Sequence, residues 1–309
     1  MARVAAAPSV RHAAASLTRR RRWLSPGLLL LLPALLLLCA LTLYPVGYGV
    51  WLSLFDKHAL FPQTRFVGLA NYAYLLRDAQ FWASLWNGTV YALTTIVLQV
   101  VLGVATALLL HQAFPGRSLV RGLVLFPYMI PTVVAVILWK WLLNNQFGLV
   151  NFLLMDVGLI GEPISWMGRS WIMVSLILIS VWQFFPFVVL AVLARLQTIP
   201  EELYDAAKVD GASALRRFWH VTLPQLQAVL FVTVLLRAIW MFTKFDTVWL
   251  ITQGGGAEKY IRTLPVYAYL RTFNYYQAGM GAAIATVMFL ILVVATLVYF
   301  RVWRREETL

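Results

Sequence analysis

Residues 198–224 read TIPEELYDAAKVDGASALRRFWHVTLP and lie between two long apolar runs. Thr198, with Glu201 three positions on, has the spacing of a capping box, in which each side chain satisfies the other's orphan backbone N–H. Pro200 is expected in the first turn, where its missing donor does no harm. Glu201 and Glu202 put negative charge at the positive end of the helix dipole. Gly211 is placed for the left-handed residue that stops a helix. A second short amphipathic helix, over about residues 213–220, then leads to Leu223-Pro224. The stretch therefore predicts a helix–glycine–helix hairpin, too polar to span a membrane and docked between two spans.

The surrounding chain is of the opposite character. Of 309 residues 61% are hydrophobic and 12% charged, whereas a soluble globular chain carries about a quarter charged residues. The formal net charge of +13 raises nucleic acid as a partner, but the basic residues flank apolar runs and form no continuous stripe. No G-x-x-x-x-G-K-[ST] loop, metal-spaced His/Cys set or G-x-S-x-G elbow is present. His12, His58, His111 and His220 fall in tails or loops, and the lone Cys39 can form no intrachain disulfide. These features predict an all-α polytopic membrane protein that is not itself an enzyme and carries no metal.

Residues 1–26 form a basic tail ending in Arg19, Arg20, Arg21 and Arg22. The apolar run 27–52 imitates a secretory signal, and its arginines imitate a twin-arginine signal. It is too long for a signal core and ends in no small-x-small site, so it reads as an uncleaved first span. Leucine before Cys39 argues against lipidation. Five further spans are expected at 85–111, 119–143, 171–195, 225–251 and 280–300, each near the roughly 20 residues that cross the hydrocarbon core. The six-helix domain thus covers 27–303, with a short tail at 304–309. Fifteen of the 25 basic residues fall on the face that holds both termini and the 198–224 loop, and seven on the other. The positive-inside rule places both termini and that loop in the cytoplasm.

Polar side chains in mid-membrane usually face a bundle interior or a cavity. Pro127 and Pro131, four apart, are expected to break the ladder locally, and Tyr128 and Thr132, at i and i+4, to share a face of the third span. The fourth span sets Ser180, Gln183, Phe184 and Phe187 at helical spacing, with Pro186 expected to kink it. The fifth sets Arg237, Trp240, Met241 and Lys244 on one face. Arg237 lies 13 residues beyond Pro224, roughly 20 Å along the helix and so near mid-membrane. Plain helix packing also fits Tyr128, Phe184, Phe187 and Met241, an interhelical hydrogen bond fits Gln183, and an ion pair with another subunit fits Arg237. Lys140, between Trp139 and Trp141, reads as an interfacial lysine. Of the 12 acids only Asp246 falls within an expected span, which disfavours an ion-coupled carrier.

Asp205-Ala206-Ala207, Asp210-Gly211-Ala212, Phe218, Val221 and Leu223-Pro224 resemble the EAA loop of bacterial ABC importer permeases, with Asp205 where glutamate is usual. Tyr44-Pro45 with Trp51-Leu52-Ser53-Leu54, Gly68-Leu69-Ala70-Asn71-Tyr72, and Gly254-Gly255-Gly256 leading to Leu264-Pro265 resemble the carbohydrate-type permeases of the maltose or glycerol-phosphate kind. The resemblance covers about residues 27–303 and implies the type I importer permease fold in a bacterial inner membrane. It implies that Asp205, Ala206, Ala207, Lys208, Asp210, Gly211, Ala212, Leu223 and Pro224 couple to an ATPase. The implied partners are two ATPase subunits, which hold the ATP and Mg, a second homologous permease, and an extracytoplasmic binding protein. The implied cargo is a di- or oligosaccharide, moving past Tyr128, Thr132, Ser180, Gln183, Phe184, Phe187, Arg237, Trp240, Met241 and Lys244. Arg237 and Lys244 keep an anionic cargo such as glycerol phosphate open.

Overall fold

The computed structural model describes residues 26–252 and 258–306. The basic tail at 1–25, the glycine run 254–256 and residues 307–309 lie outside the described residues. The chain divides into two units, residues 1–48 and 49–309.

The first unit holds α1 (Pro26–Leu38), a wide π turn (Cys39–Leu43) and the first five residues of α2 (Tyr44–Leu52). The Tyr44 N–H bonds the Cys39 carbonyl, five residues back. The wide turn falls just before Pro45, whose missing N–H breaks the ordinary ladder there. Residues Leu30–Leu52 are long and apolar enough to cross a membrane.

After the end of α2 the second unit has an antiparallel hairpin, β1 (Phe55–Lys57) and β2 (Thr64–Phe66), in which Phe55 faces Phe66. Then come α3 (Ala70–Arg77), α4 (Ala79–His111), α5 (Arg117–Met129), α6 (Thr132–Leu142), α7 (Leu149–Asp156) and α8 (Ile172–Leu196). The polar loop holds α9 (Glu201–Val209) and α10 (Ala214–Arg217), followed by α11 (Leu223–Phe242) and α12 (Asp246–Thr252). The chain closes with α13 (Glu258–Ile261), α14 (Leu264–Tyr269) and α15 (Ala278–Glu306). Among the described residues five helices are long and apolar enough to span, and the bent pair α5–α6 makes a sixth when taken as one span.

Several expectations need correction. The third span is not one rod: α5 and α6 meet at 99°. Pro131 withholds the N–H that would continue α5 and holds the residue before it extended (Ile130 φ −77°, ψ 131°). Tyr128 and Thr132 therefore stand on different helices and share no helical face. The fifth span ends at Phe242, and Asp246 begins a separate helix beyond the break. The second loop helix does not stop near residue 220. It runs through a wide turn (Phe218–Thr222) straight into α11, giving one helical run Ala214–Phe242. Pro224 lacks the donor that would bond the His220 carbonyl, and the wide turn absorbs that gap: the Leu223 N–H reaches back to Phe218.

The core lies where α4 crosses α8. Tyr91, Ile96, Leu176 and Ile179 pack there with Met241 of α11. Towards the loop end, Ala107, Leu110, Val188, Val192 and Leu226 form a second cluster. Gly103 makes the close crossing possible, since a Cβ there would stand 2.5 Å from the Val188 Cβ. The segment 68–72 is a stapled corner. Gly68 takes a positive φ of 56°, the Asn71 amide donates to the Ser53 carbonyl (2.8 Å) and the Phe55 carbonyl (3.1 Å), and the Ser53 and Tyr72 hydroxyls bond each other.

Candidate functional site

The loop is held by backbone geometry and by a clamp at its base. The expected capping box does not form. Pro200 is the residue before the first turn of α9, and no side chain caps that helix. Thr198 lies too far back and instead donates to the Arg195 carbonyl (2.8 Å) while accepting from the Arg195 guanidinium (3.1 Å). Arg195 also donates to the Gln225 carbonyl (2.9 Å) and the Gln225 side-chain oxygen (2.7 Å), joining the end of α8 to the start of α11. Gly211 does stop α9 in the left-handed region, at φ +73°. The Gly211 N–H bonds Lys208 (3.0 Å) and the Ala212 N–H bonds Ala207 (2.9 Å), the paired pattern of a Schellman motif. Ser213 then caps α10 by accepting from the Arg216 N–H at 3.4 Å. Tyr204 and Thr222 hydroxyls, 3.1 Å apart, tie the two limbs together.

This geometry leaves the loop's outer face open. Asp205, Ala206, Lys208, Asp210 and Pro224 are exposed, while Ala207, Ala212 and Leu223 are half-buried. Val209 is 88% exposed and Leu215 68%, with Trp219 also out, so the loop ends in apolar side chains that none of the described residues covers. Asp205 and Lys208 pair at 2.8 Å in the open.

The second centre is buried in the bundle. Arg237 of α11 is 2% exposed, yet no carboxylate among the described residues pairs with it. Its Nε donates to Gln99 Oε1 of α4 at 2.8 Å, and its Nη2 lies 3.4 Å from the Met241 sulfur. Rings take the place of a counter-ion: the guanidinium carbon stands 5.1 Å from the Phe184 centroid, 5.9 Å from Phe187 and 5.6 Å from Trp240. A cation over aromatic faces gains from the ring quadrupole, most where water is excluded. Gln99 is fixed in turn by donating to the Ser180 carbonyl (2.9 Å), and the Ser180 and Tyr91 hydroxyls lie 2.8 Å apart.

The remaining pathway candidates border this centre. Tyr128 meets Phe184 edge-on at 6.3 Å and Phe187 at 6.2 Å, and Phe187 meets Trp240 at 5.2 Å. Gln183 donates to the Ile130 carbonyl (3.0 Å) and reaches Thr132 Oγ1 (3.5 Å), so it satisfies backbone freed by the Pro131 break. Its Oε1 is buried with no partner. Lys244 pairs with Asp246 of its own chain at 2.9 Å and sits 4.4 Å from the Phe184 centroid. All ten sequence-selected residues thus gather around the α5–α6 break, α8 and α11. Tyr91 and Gln99 were not selected. Their signal was available, as Tyr91, Thr95 and Gln99 recur every four residues through a mainly apolar run.

At the opposite end of α4 a different cluster serves to fasten the fold. Tyr267 bonds Asp78, and Arg271 donates to Tyr267 (2.9 Å) and Tyr74 (3.0 Å) and pairs with Asp78 (3.3 Å). Burial, then the Asp78 bond, pushes the Tyr267 phenol up to about 12.

An exposed helical-hairpin loop and a polar centre inside a bundle of spans fit a membrane transport subunit. Residues 99–307 match the family described as the binding-protein-dependent transport system inner membrane component, and the chain belongs to that family. It is 35% identical over 284 residues to the trehalose/maltose transport system permease protein MalF of Thermococcus litoralis, covering 90% of this chain and 93% of that one. It is 34% identical over 298 residues to the sulfoquinovosyl glycerol transport system permease protein SmoG of Agrobacterium fabrum, covering 94% and 96%. The fold is that of the type I ABC importer permeases. A solved bacterial ABC transporter involved in importing the acidic polysaccharide alginate superposes with TM-score 0.78, at 20% identity, covering 90% of this chain and 94% of that one. A chain of this family is a transporter permease subunit and not an enzyme.

Proposed function

We propose that this chain is the membrane subunit of an ATP-driven carbohydrate importer, forming half of the translocation path, with its 198–224 loop seated on a partner ATPase. The observation that carries this is the pairing of two sites in one chain. A rigid loop presents uncovered apolar residues at one membrane end, and polar and aromatic side chains converge inside the same spans. Aromatic faces beside hydrogen-bonding groups suit a sugar, whose C–H faces stack on rings while its hydroxyls meet polar atoms. The relatives named for trehalose/maltose and for sulfoquinovosyl glycerol support a carbohydrate. The excess of basic residues on the loop side supports a cytoplasmic loop and cytoplasmic termini. ATP and Mg would bind to two ATPase copies, and a second permease and an extracytoplasmic binding protein would complete the assembly.

Arg237 favours a second reading of the cargo. A buried guanidinium with no carboxylate partner among the described residues suits an anionic sugar, whereas Lys244 is already paired with Asp246. Purification of the tagged chain from its native membrane in mild detergent tests the assembly, with an ATPase assay on the eluate. A nucleotide-binding subunit and a second permease should co-elute, and altering Asp205 and Gly211 should release the ATPase. A chain that elutes alone without ATPase activity contradicts the proposal. Uptake by the recovered complex then separates neutral from anionic sugars.

A further inference from the structure

Arg117 opens α5 and Arg121 follows one turn later, so the two share a face at the membrane end that also holds the 198–224 loop. Both are half-buried. Arg121 Nη2 donates to the Leu110 carbonyl at 3.1 Å, which draws its guanidinium over the end of α4. The Nε atoms of both arginines are buried without a hydrogen-bond partner. Two partly desolvated cations one helical turn apart repel each other, and no carboxylate among the described residues pairs with either of them.

A groove of about 250 Å³ runs from Arg121 between α5 and α8, lined by Leu125, Val189, Leu190 and Leu193. The flank of α5 beside it is apolar and open, with Leu119 69%, Leu123 64% and Phe126 59% exposed. Cationic donors thus sit at the end of a spanning helix, and an apolar channel leads from them along the membrane-spanning part. We infer that this is a binding site for an anionic phospholipid, its phosphodiester on Arg117 and Arg121 and an acyl chain against Leu125, Leu190 and Leu193. Basic pockets between spanning helices bind such headgroups through this combination. Free phosphate would use the arginines and leave the groove empty. A zwitterionic lipid would fill the groove but bring no net charge to the arginines.

The test is native mass spectrometry of the intact complex exchanged into detergent with equimolar phosphatidylglycerol and phosphatidylcholine. Phosphatidylglycerol should be retained about tenfold over phosphatidylcholine. R117Q/R121Q should bring the two to parity, and R117K/R121K should keep the preference. Ala194 also lines the groove, and A194W, which fills it and leaves both arginines in place, should lower phosphatidylglycerol occupancy. Parity in the wild-type complex overturns the site, as does an undiminished preference in R117Q/R121Q. Unchanged occupancy in A194W overturns the seating of the acyl chain. Release of the lipid by millimolar inorganic phosphate alone would assign the arginines to a soluble anion instead. Crosslinking of Ala194→Cys to a partner chain would show that protein covers the groove.

Discussion

The 198–224 loop and the Arg237 centre are built by opposite means. The loop is local and open: a proline starts α9, Gly211 stops it, Ser213 caps the next limb, and the apolar side chains point outward. The centre is non-local and closed, with Arg237 held by Gln99, 138 residues away in sequence, and by rings from α8 and α11. The loop's own folding should therefore be sensitive to backbone conformation and tolerant of side-chain chemistry. The centre should be sensitive to side-chain chemistry, because each buried group there completes another.

The sharpest break of that comparison is Arg237→Ala. It leaves Gln99 Oε1 without its donor, and a hydrogen bond to a charged group is worth about 1.5–3 kcal/mol. Uptake by the reconstituted complex should fall about tenfold to a hundredfold while the chain still assembles. Gly211→Val should follow in size. No atom lies within 4 Å of where its Cβ would stand, so the strain is purely that of φ +73°, costing about 1–2 kcal/mol for a non-glycine residue. Gly211→Asn, which tolerates that region, should stay near wild type in uptake. Next comes Gly103→Ala, whose Cβ meets Val188 at 2.5 Å. Overpacking at such a crossing costs about 1–3 kcal/mol, read as a lowered melting temperature of the purified complex. The smallest change is Asp205→Asn, which removes an exposed pair with Lys208. Such pairs are worth at most about 1 kcal/mol, so thermal stability of the chain should hardly move.

The same contrast explains what could be read from the chain. The spans were legible because apolar runs of spanning length have few other solutions, and Gly211 was legible because a helix stop is a matter of neighbouring residues. The capping box failed for a local reason. The Thr198–Glu201 spacing has the right signature, but Pro200 sets its own φ and takes the position before α9, leaving Thr198 to Arg195. The prolines at 127 and 131 announced a break but not its 99° angle. That Arg237 is central was readable from a charge in an apolar run. That Gln99 holds it was not, because the two residues are 138 apart in sequence and the register between α4 and α11 is set by packing. The wide turn at Phe218–Thr222 joins the two regions physically, since the loop's second limb continues as the helix that carries Arg237. Movement of the loop would thus reach the buried centre along one helical run, Ala214–Phe242.

That continuity is the central claim, and the most direct test is uptake per ATP hydrolysed by the full complex in proteoliposomes, comparing wild type with Gly211→Val and Gly211→Asn. The account predicts that Gly211→Val loses at least about tenfold in uptake per ATP while Gly211→Asn stays near wild type, following the strain of a left-handed residue. Wild-type coupling in Gly211→Val, or equal loss in both variants, would contradict it.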